Sequence, residues 1–184
     1  ENENMKILKN KLKKKKIKID LATSGIHNSK IFGETIKEIR QDKLKISFPS
    51  KLNLNKTDTQ SIVKFLGLSF VENYKILLKL KPDLVLLYGD RYEVLCFGLV
   101  AYLCNIPIVH LHGGELTVGA SDDGFRHALT KISNYHFVSH NDYRNRVIQL
   151  GENPKNVFNF GSLAAENLSK MKFLKKDWLF KKYQ

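Results

Sequence analysis

Cysteine is scarce in this chain, and so is arginine. Only Cys96 and Cys104 are present, in one apolar segment and without C-x-x-C spacing, so neither a disulfide framework nor a thiolate zinc site is indicated. Both are expected to be reduced residues of the core. Long hydrophobic runs are lacking too. The longest, "FGLVAYLCNIPIVHL", is interrupted by Asn105 and Pro107 and falls short of the roughly 20 residues a membrane-spanning helix needs. The opening "ENENMKIL" does not have the layout of a signal peptide. These absences lead to the expectation of a soluble, cytoplasmic protein with no membrane partner.

Acidic residues are outnumbered, 18 against 31 basic, giving a formal charge of +13. A basic surface attracts phosphate whatever the sequence. Of the basic residues, however, only Arg40, Arg91, Arg126, Arg144 and Arg146 are arginine. The densest run, "KNKLKKKK" at 9–16, contains no aromatic residue on which a base could stack. Solvated lysine-rich faces are the better reading of the charge, and no specific nucleic-acid partner is expected.

What is present is enough for one domain: 184 residues, 42% of them hydrophobic. A basic amphipathic helix is expected over 5–16, a strand over 17–23, a helix over 29–41 and a further strand in "KLKISF". Apolar positions Ile62, Leu66, Phe70, Tyr74 and Leu77 recur at helical spacing through 59–80, after Thr57 or Asp58 as N-cap. Pro82 ends that helix. "DLVLLY" at 83–88 reads as a strand buried on both faces of a parallel sheet. A helix over 92–104, the strand "IPIVHL", a helix over 123–133, the strand "NYHFVS", the helix "NDYRNRVIQL" closed by Gly151, the strand "NVFNFGS" and a helix over 162–172 follow. Alternation of this kind specifies a doubly wound α/β sheet, Rossmann-like in class. Such a sheet normally opens with a strand, whereas this chain opens with a helix, so a first strand is expected to be missing.

Ligands of open α/β sheets bind beyond the carboxyl ends of the strands. Two polar clusters fall there: Gly89-Asp90-Arg91, and "HLHGGELTVGASDDGFRH" at 110–127. Asp90 is either an ordinary turn residue or a functional acid, and its place at a buried strand end favours function. Glu115 should share its cleft. Asp122 or Asp123 opens the next helix, where capping and chemistry compete for one side chain. His110 reads equally as a satisfied core histidine or as a support to the site. Gly113 and Gly114 make a plain loop or let backbone N–H groups approach a phosphate or sugar. His110, His112, Glu115 and Asp122 are metal-ligating types, but their spacing matches no helical zinc pattern, and no metal or other cofactor is expected. His136 and His140, in and after a strand and expected to have no acidic partners nearby, read as structural.

"KPDLVLLYGDRYEVL", "NIPIVHLHGGELTVGASDDGFRHALTKISNYHFV" and "RVIQLGENPKNVFNFGSLAAENL" together resemble the hydrolysing UDP-N-acetylglucosamine 2-epimerases of sialic acid synthesis and their relatives acting on UDP-2,4-diacetamido sugars for legionaminic acid. The likeness runs from about Leu21 to Leu168. It implies that residues 1–184 are the N-terminal Rossmann-like domain of a two-domain GT-B fold, without the family's first strand and its C-terminal domain. It implies a UDP-sugar partner, a homo-oligomer at full length, and elimination of UDP to a glycal followed by hydration to N-acetylmannosamine. Asp90, Glu115 and Asp122 match the family's acids. Some members carry a carboxylate where this chain has His112, which leaves the second acid's role between Glu115 and His112. Asp123 stays an alternative to Asp122. Arg91, His112, Gly113, Gly114, Arg126 and His127 match substrate-contacting positions, with His27 of "SGIH" and Ser162 as lesser contacts. A non-catalytic sugar-nucleotide-binding fragment and half of a GT-B glycosyltransferase are the competing readings.

If the lysines only solvate, short RNA should bind at physiological salt without sequence preference and no tighter than ~10⁻⁴–10⁻⁶ M. Fluorescence anisotropy with two unrelated RNA sequences checks this, and nanomolar selective binding would contradict it.

Overall fold

The computed structural model describes residues 17–41, 43, 45–117, 119 and 121–170. The helix expected over 5–16 and the last residues of that expected over 162–172 lie outside them. Among these residues six strands and six α-helices follow one another: β1 (Ala22–Thr23), α1 (Ile36–Gln41), β2 (Phe48–Pro49), α2 (Thr59–Leu80), β3 (Val85–Tyr88), α3 (Tyr92–Leu103), β4 (Ile108–Leu111), α4 (Asp122–Ile132), β5 (Tyr135–Val138), α5 (Asn141–Gln149), β6 (Val157–Asn159) and α6 (Leu163–Lys170). Every strand pairing is parallel. β3, β4, β5 and β6 form one sheet in chain order, and β1 pairs with β2 in a separate one.

α2 has the ends its sequence calls for. Asp58 accepts the Ser61 N–H at 2.9 Å as N-cap, and Lys81, at φ +45°, closes the helix by donating its N–H to Leu77 O at 2.8 Å. Leu77, Val85, Leu87, Val100, Ala101, Ile108 and Leu129 make the main core, so α2, α3 and α4 all cover one face of the sheet. Val138, Val147 and Val157 extend that core under α5. Each of the Val, Leu and Ile side chains among them contributes roughly 1.5–3 kcal/mol by leaving water.

Several sequence expectations need correction. Strand β3 is not buried on both faces: Val85 and Leu87 are covered, while Leu86 between them is 37% exposed. The face it shares carries Tyr135 and Phe158, also exposed, because the helices α2 to α5 pack on the other side. The helix expected over 29–41 is broken into a 3-10 turn, Lys30–Phe32, and α1, because Gly33 at φ +79° and Glu34 at φ +49° turn the backbone left-handed. The strand expected over 17–23 contracts to β1, since only Phe48 and Pro49 pair with it, and "KLKISF" contributes only its last residue to β2. Asp122 does not cap α4. Ser121 occupies the N-cap position, with Asp122 and Asp123 in the first turn.

The loop after β4 is drawn tightly against α5. Gly114, at φ +78°, sits where an added Cβ would lie 2.4 Å from Tyr143 O. Gly33 has a similar φ with open space around it. Gly114→Ala should therefore cost ~2–4 kcal/mol, backbone strain and overpacking combined, against ~1 kcal/mol for Gly33→Ala. Urea unfolding of both variants measures the difference.

Candidate functional site

At the carboxyl ends of β3, β4 and β5 the polar residues meet on one guanidinium. Arg126, one turn into α4, has a side chain only 4% exposed. It pairs with Asp90, which follows β3, and with Asp123 on its own helix. It also donates to Glu115 O at 2.8 Å and to Thr117 Oγ1 at 3.1 Å. Asp123 in turn accepts the Thr117 N–H at 2.9 Å. Asp90 and the Glu115 loop thus face one place, because β3 and β4 are adjacent and parallel. Breaking a buried pair by deleting one partner typically costs ~3–5 kcal/mol, so this cluster is a fixed frame.

Beside it stands a second assembly. Glu115 Oε1 accepts from His112 Nδ1 at 2.8 Å and from Ser139 Oγ at 2.7 Å. The His112 hydrogen bond, followed by that of Ser139 and the charge of Arg126, holds the Glu115 carboxyl below its usual range against the opposing effect of burial. His112 has a left-handed backbone, φ +65°, and its ring meets Tyr88 edge-on with centroids 5.1 Å apart. With Nδ1–H directed at a carboxylate, Nε2 is the basic nitrogen of the ring. Glu115 and His112 are thus joined in one hydrogen-bonded unit. Ser139 was not anticipated from sequence, although its position directly after β5 satisfies the strand-end rule that singled out Asp90.

A third group sits at the start of α3. Arg91, in the N-cap position, donates from Nε to Glu93 Oε1 at 2.9 Å. Its guanidinium carbon lies 5.1 Å from the Phe32 ring centroid and 5.3 Å from that of Tyr92. Glu93 is buried, which raises its pKa, with the charge of Arg91 opposing and that of Asp122 adding. It too escaped the sequence reading, since a carboxylate in the first turn of a helix is ordinarily a dipole partner. Asp122 makes no hydrogen bond among the described residues.

The remaining residues are less central. Gly113 fits against His110 and Thr130, where a Cβ would lie 3.2 Å from each. His127 has a buried Nδ1 without a hydrogen-bond partner among the described residues. His27 Nδ1 is 2.8 Å from Thr35 Oγ1, and Ser162 Oγ accepts the Ala165 N–H at 3.3 Å at the start of α6. His136 and His140 do have acidic partners, contrary to expectation: Glu152 at 3.3 Å and Asp142 at 3.3 Å. Glu152 comes from the turn after α5, a tertiary contact that sequence spacing does not display. No group of three or more His, Cys, Asp or Glu side chains among the described residues is placed to hold a metal ion. The hollow lined by Leu52, Leu54, Phe65 and Leu68 includes none of the residues above. No described helix is long and apolar enough to cross a membrane.

His110 supports the frame from below. It is fully buried, with Nε2 3.4 Å from Gly89 O and Nδ1 3.4 Å from Thr130 Oγ1. Burial pushes its pKa down to about 4 from an ordinary 6.5, despite the contact to Gly89. The unfolded chain protonates this ring near pH 6.5 and the native protein only near pH 4, so the unfolded state binds more protons between the two values. Stability should therefore fall as pH drops through that window, by up to roughly 3 kcal/mol. His136, lowered by burial as well, acts in the same direction. Urea midpoints measured from pH 7 to 4 should show this decline, with a shallower slope in His110→Asn.

Comparison with known proteins gives the arrangement its relatives. The family described as UDP-N-acetylglucosamine 2-epimerase matches residues 10–183. The GDP/UDP-N,N'-diacetylbacillosamine 2-epimerase (hydrolyzing) of Campylobacter jejuni is 44% identical over 162 residues, 88% of this chain and 42% of its own length. The UDP-N,N'-diacetylbacillosamine 2-epimerase (hydrolyzing) of Legionella pneumophila is 32% identical over 96% of this chain and 47% of its own. The chain thus spans less than half the length of these relatives. The solved UDP-N-acetylglucosamine 2-epimerase of Rickettsia bellii superposes with a TM-score of 0.67 at 23% identity, covering 82% of this chain and 39% of that one, which is a likeness of fold. The parallel sheet and its helices are the Rossmann-like half of the GT-B arrangement. From the match along almost its whole length, the chain belongs to the UDP-N-acetylglucosamine 2-epimerase family.

Proposed function

We propose that the chain is the N-terminal, acid-bearing half of a hydrolysing UDP-sugar 2-epimerase. Its substrate is a UDP-2-acetamido sugar, and the Campylobacter and Legionella relatives favour the 2,4-diacetamido form over UDP-N-acetylglucosamine. The observation that carries the reading is the convergence of Asp90, the Glu115 loop and Asp123 on Arg126 at the carboxyl ends of adjacent parallel strands.

In the reaction a base removes the C2 proton, the C1–O bond breaks with its electron pair leaving on UDP, and C1 and C2 become doubly bonded. Water then adds at C1 while an acid returns a proton to the opposite face of C2. Each proton transfer by a positioned group is worth ~10²–10⁴ in rate. We assign one transfer to the His112–Glu115 unit. In it the ionised carboxylate orients the ring and stabilises the imidazolium that forms, doing with two residues what some members do with a carboxylate at the position of His112. Asp90, locked by Arg126, and Asp122 are the other proton stations. Arg91, His127 and the Gly113-Gly114 backbone contact the substrate, with His27 and Ser162 at the margin.

β1 and β3 each have one side unpaired among the described residues. On this reading the family's first strand belongs between them, and its turn and the second domain supply most of the hold on the diphosphate. Positioning contributes ~7–11 kcal/mol to such a barrier, so the acids alone should not suffice. The 184-residue chain by itself should release no detectable UDP. The chain preceded by a first strand and joined to the C-terminal part of the Campylobacter relative should release UDP and incorporate deuterium at C2 in deuterated water, and Asp90→Asn should abolish both. Robust turnover by the short chain would show the second domain to be dispensable. An inactive but folded joined protein would remove the epimerase reading.

A further inference from the structure

We propose that Glu93 is a positioning residue that aims the guanidinium of Arg91 at a diphosphate. The proposal rests on the reading of the strand ends as a UDP-sugar site.

A carboxylate buried to 5% side-chain exposure is costly unless something compensates for it. Beyond the backbone N–H of its own residue, Glu93 is compensated by one side chain, Arg91, whose Nε–H lies 2.9 Å from Oε1. Its other oxygen, Oε2, is buried without a hydrogen-bond partner among the described residues. The acid is therefore half satisfied, and the nearby charge of Asp122 disfavours its ionised form further. A residue needed only to fill this space would be better apolar. What the carboxylate does accomplish is to immobilise Arg91.

Arg91 is restrained on three sides. Glu93 holds the Nε edge, while the rings of Phe32 and Tyr92 lie near the guanidinium. Its side chain is nevertheless 42% exposed. The terminal nitrogens make only one contact among the described residues, Nη2 to Tyr92 Oη at 3.5 Å, which is too long to hold a proton donor. The Nη1–Nη2 edge thus presents two parallel N–H groups, the geometry that grips a phosphate bidentately. Arg91 is also the N-cap of the 12-residue α3 and makes no side-chain cap hydrogen bond, so the positive end of that helix dipole lies beside the same fork. Asp90, the neighbouring residue, belongs to the Arg126 frame, which places the fork next to the acids.

Charge alone makes the opposite prediction from positioning. A carboxylate near a bound diphosphate repels it, so removing the charge should strengthen binding if Glu93 is only a counter-ion. If Glu93 orders Arg91, removing it obliges the ligand to immobilise a long side chain, and binding should weaken by about fivefold to tenfold.

The test titrates the 184-residue chain with inorganic pyrophosphate and follows arginine Nε–H signals by NMR. With only five arginines in the chain, Arg91 is assigned directly from an Arg91→Lys variant. In the unaltered chain pyrophosphate should shift the Arg91 signal, and Arg91→Lys should lose that binding. Glu93→Gln should weaken the affinity by about fivefold to tenfold and broaden the Arg91 signal before any ligand is added. Glu93→Asp, which keeps the charge and withdraws the carboxylate by one methylene, should weaken it too and serves if Glu93→Gln does not fold. Equal or tighter binding by the folded Glu93 variants would overturn the positioning role while leaving Arg91 as a ligand. Failure of pyrophosphate to move the Arg91 signal would overturn the proposal altogether, whereas the epimerase reading stands or falls separately on UDP release.

Discussion

The strand ends are organised around one buried cation. Arg126 has almost no access to water, so its charge is tolerable only because two carboxylates and two further oxygens surround it. Those partners come from three stretches of chain: the turn after β3, the loop after β4 and the first turn of α4. Each stretch would be an ordinary flexible connection without it. The acids gain as well, because Asp90 and Asp123 are like charges in one small volume and would repel each other without the guanidinium between them. A lysine could not serve equally, since a point charge lacks the planar set of donors that reaches four acceptors in different directions.

Around this cation the polar groups fall into two electrostatic kinds. Glu115 is kept ionised by donors, His112 and Ser139, that converge on a single oxygen. His110, one strand position before the loop begins, is kept neutral by complete burial. A charged ring there would add a second cation against Arg126. With its pKa pushed down to about 4, His110 carries no charge beneath the loop at neutral pH.

Much of this was legible in the residues. The period of apolar positions through 59–80 and the capping potential of Asp58 define α2 to the residue, and the apolar runs with their breaks locate β3 to β6. The strand-end rule then gathers Asp90, Glu115 and Asp122 at one edge of a sheet. What was not legible depends on contacts distant in sequence or on backbone conformation. Nothing in "KIFGETIKEI" announces that Glu34 joins Gly33 in a left-handed turn that splits the helix. The pairing of His136 with Glu152 and of Glu115 with Ser139 exists only once α5 and β5 are in place. The exposure of Leu86 follows from which side of the sheet the helices take, and a run of apolar residues does not encode sides. Glu93 was overlooked because its burial exists only in the folded chain.

Strand order in the larger sheet coincides with chain order, and that has a consequence for how the protein is made. Val85 pairs with Ile108, Val109 with Tyr135 and His136 with Val157, separations of 23, 26 and 21 residues. Parallel sheets usually fold slowly because distant strands must find each other against loop-closure entropy. Here each new strand needs only the one just before it, with the intervening helix as its closing loop. The sheet can grow one βα unit at a time as the chain leaves the ribosome, and each added unit finds its docking edge already formed. The clamp closes partway through this growth, when α4 brings Arg126 to the completed ends of β3 and β4, before β6 has been synthesised.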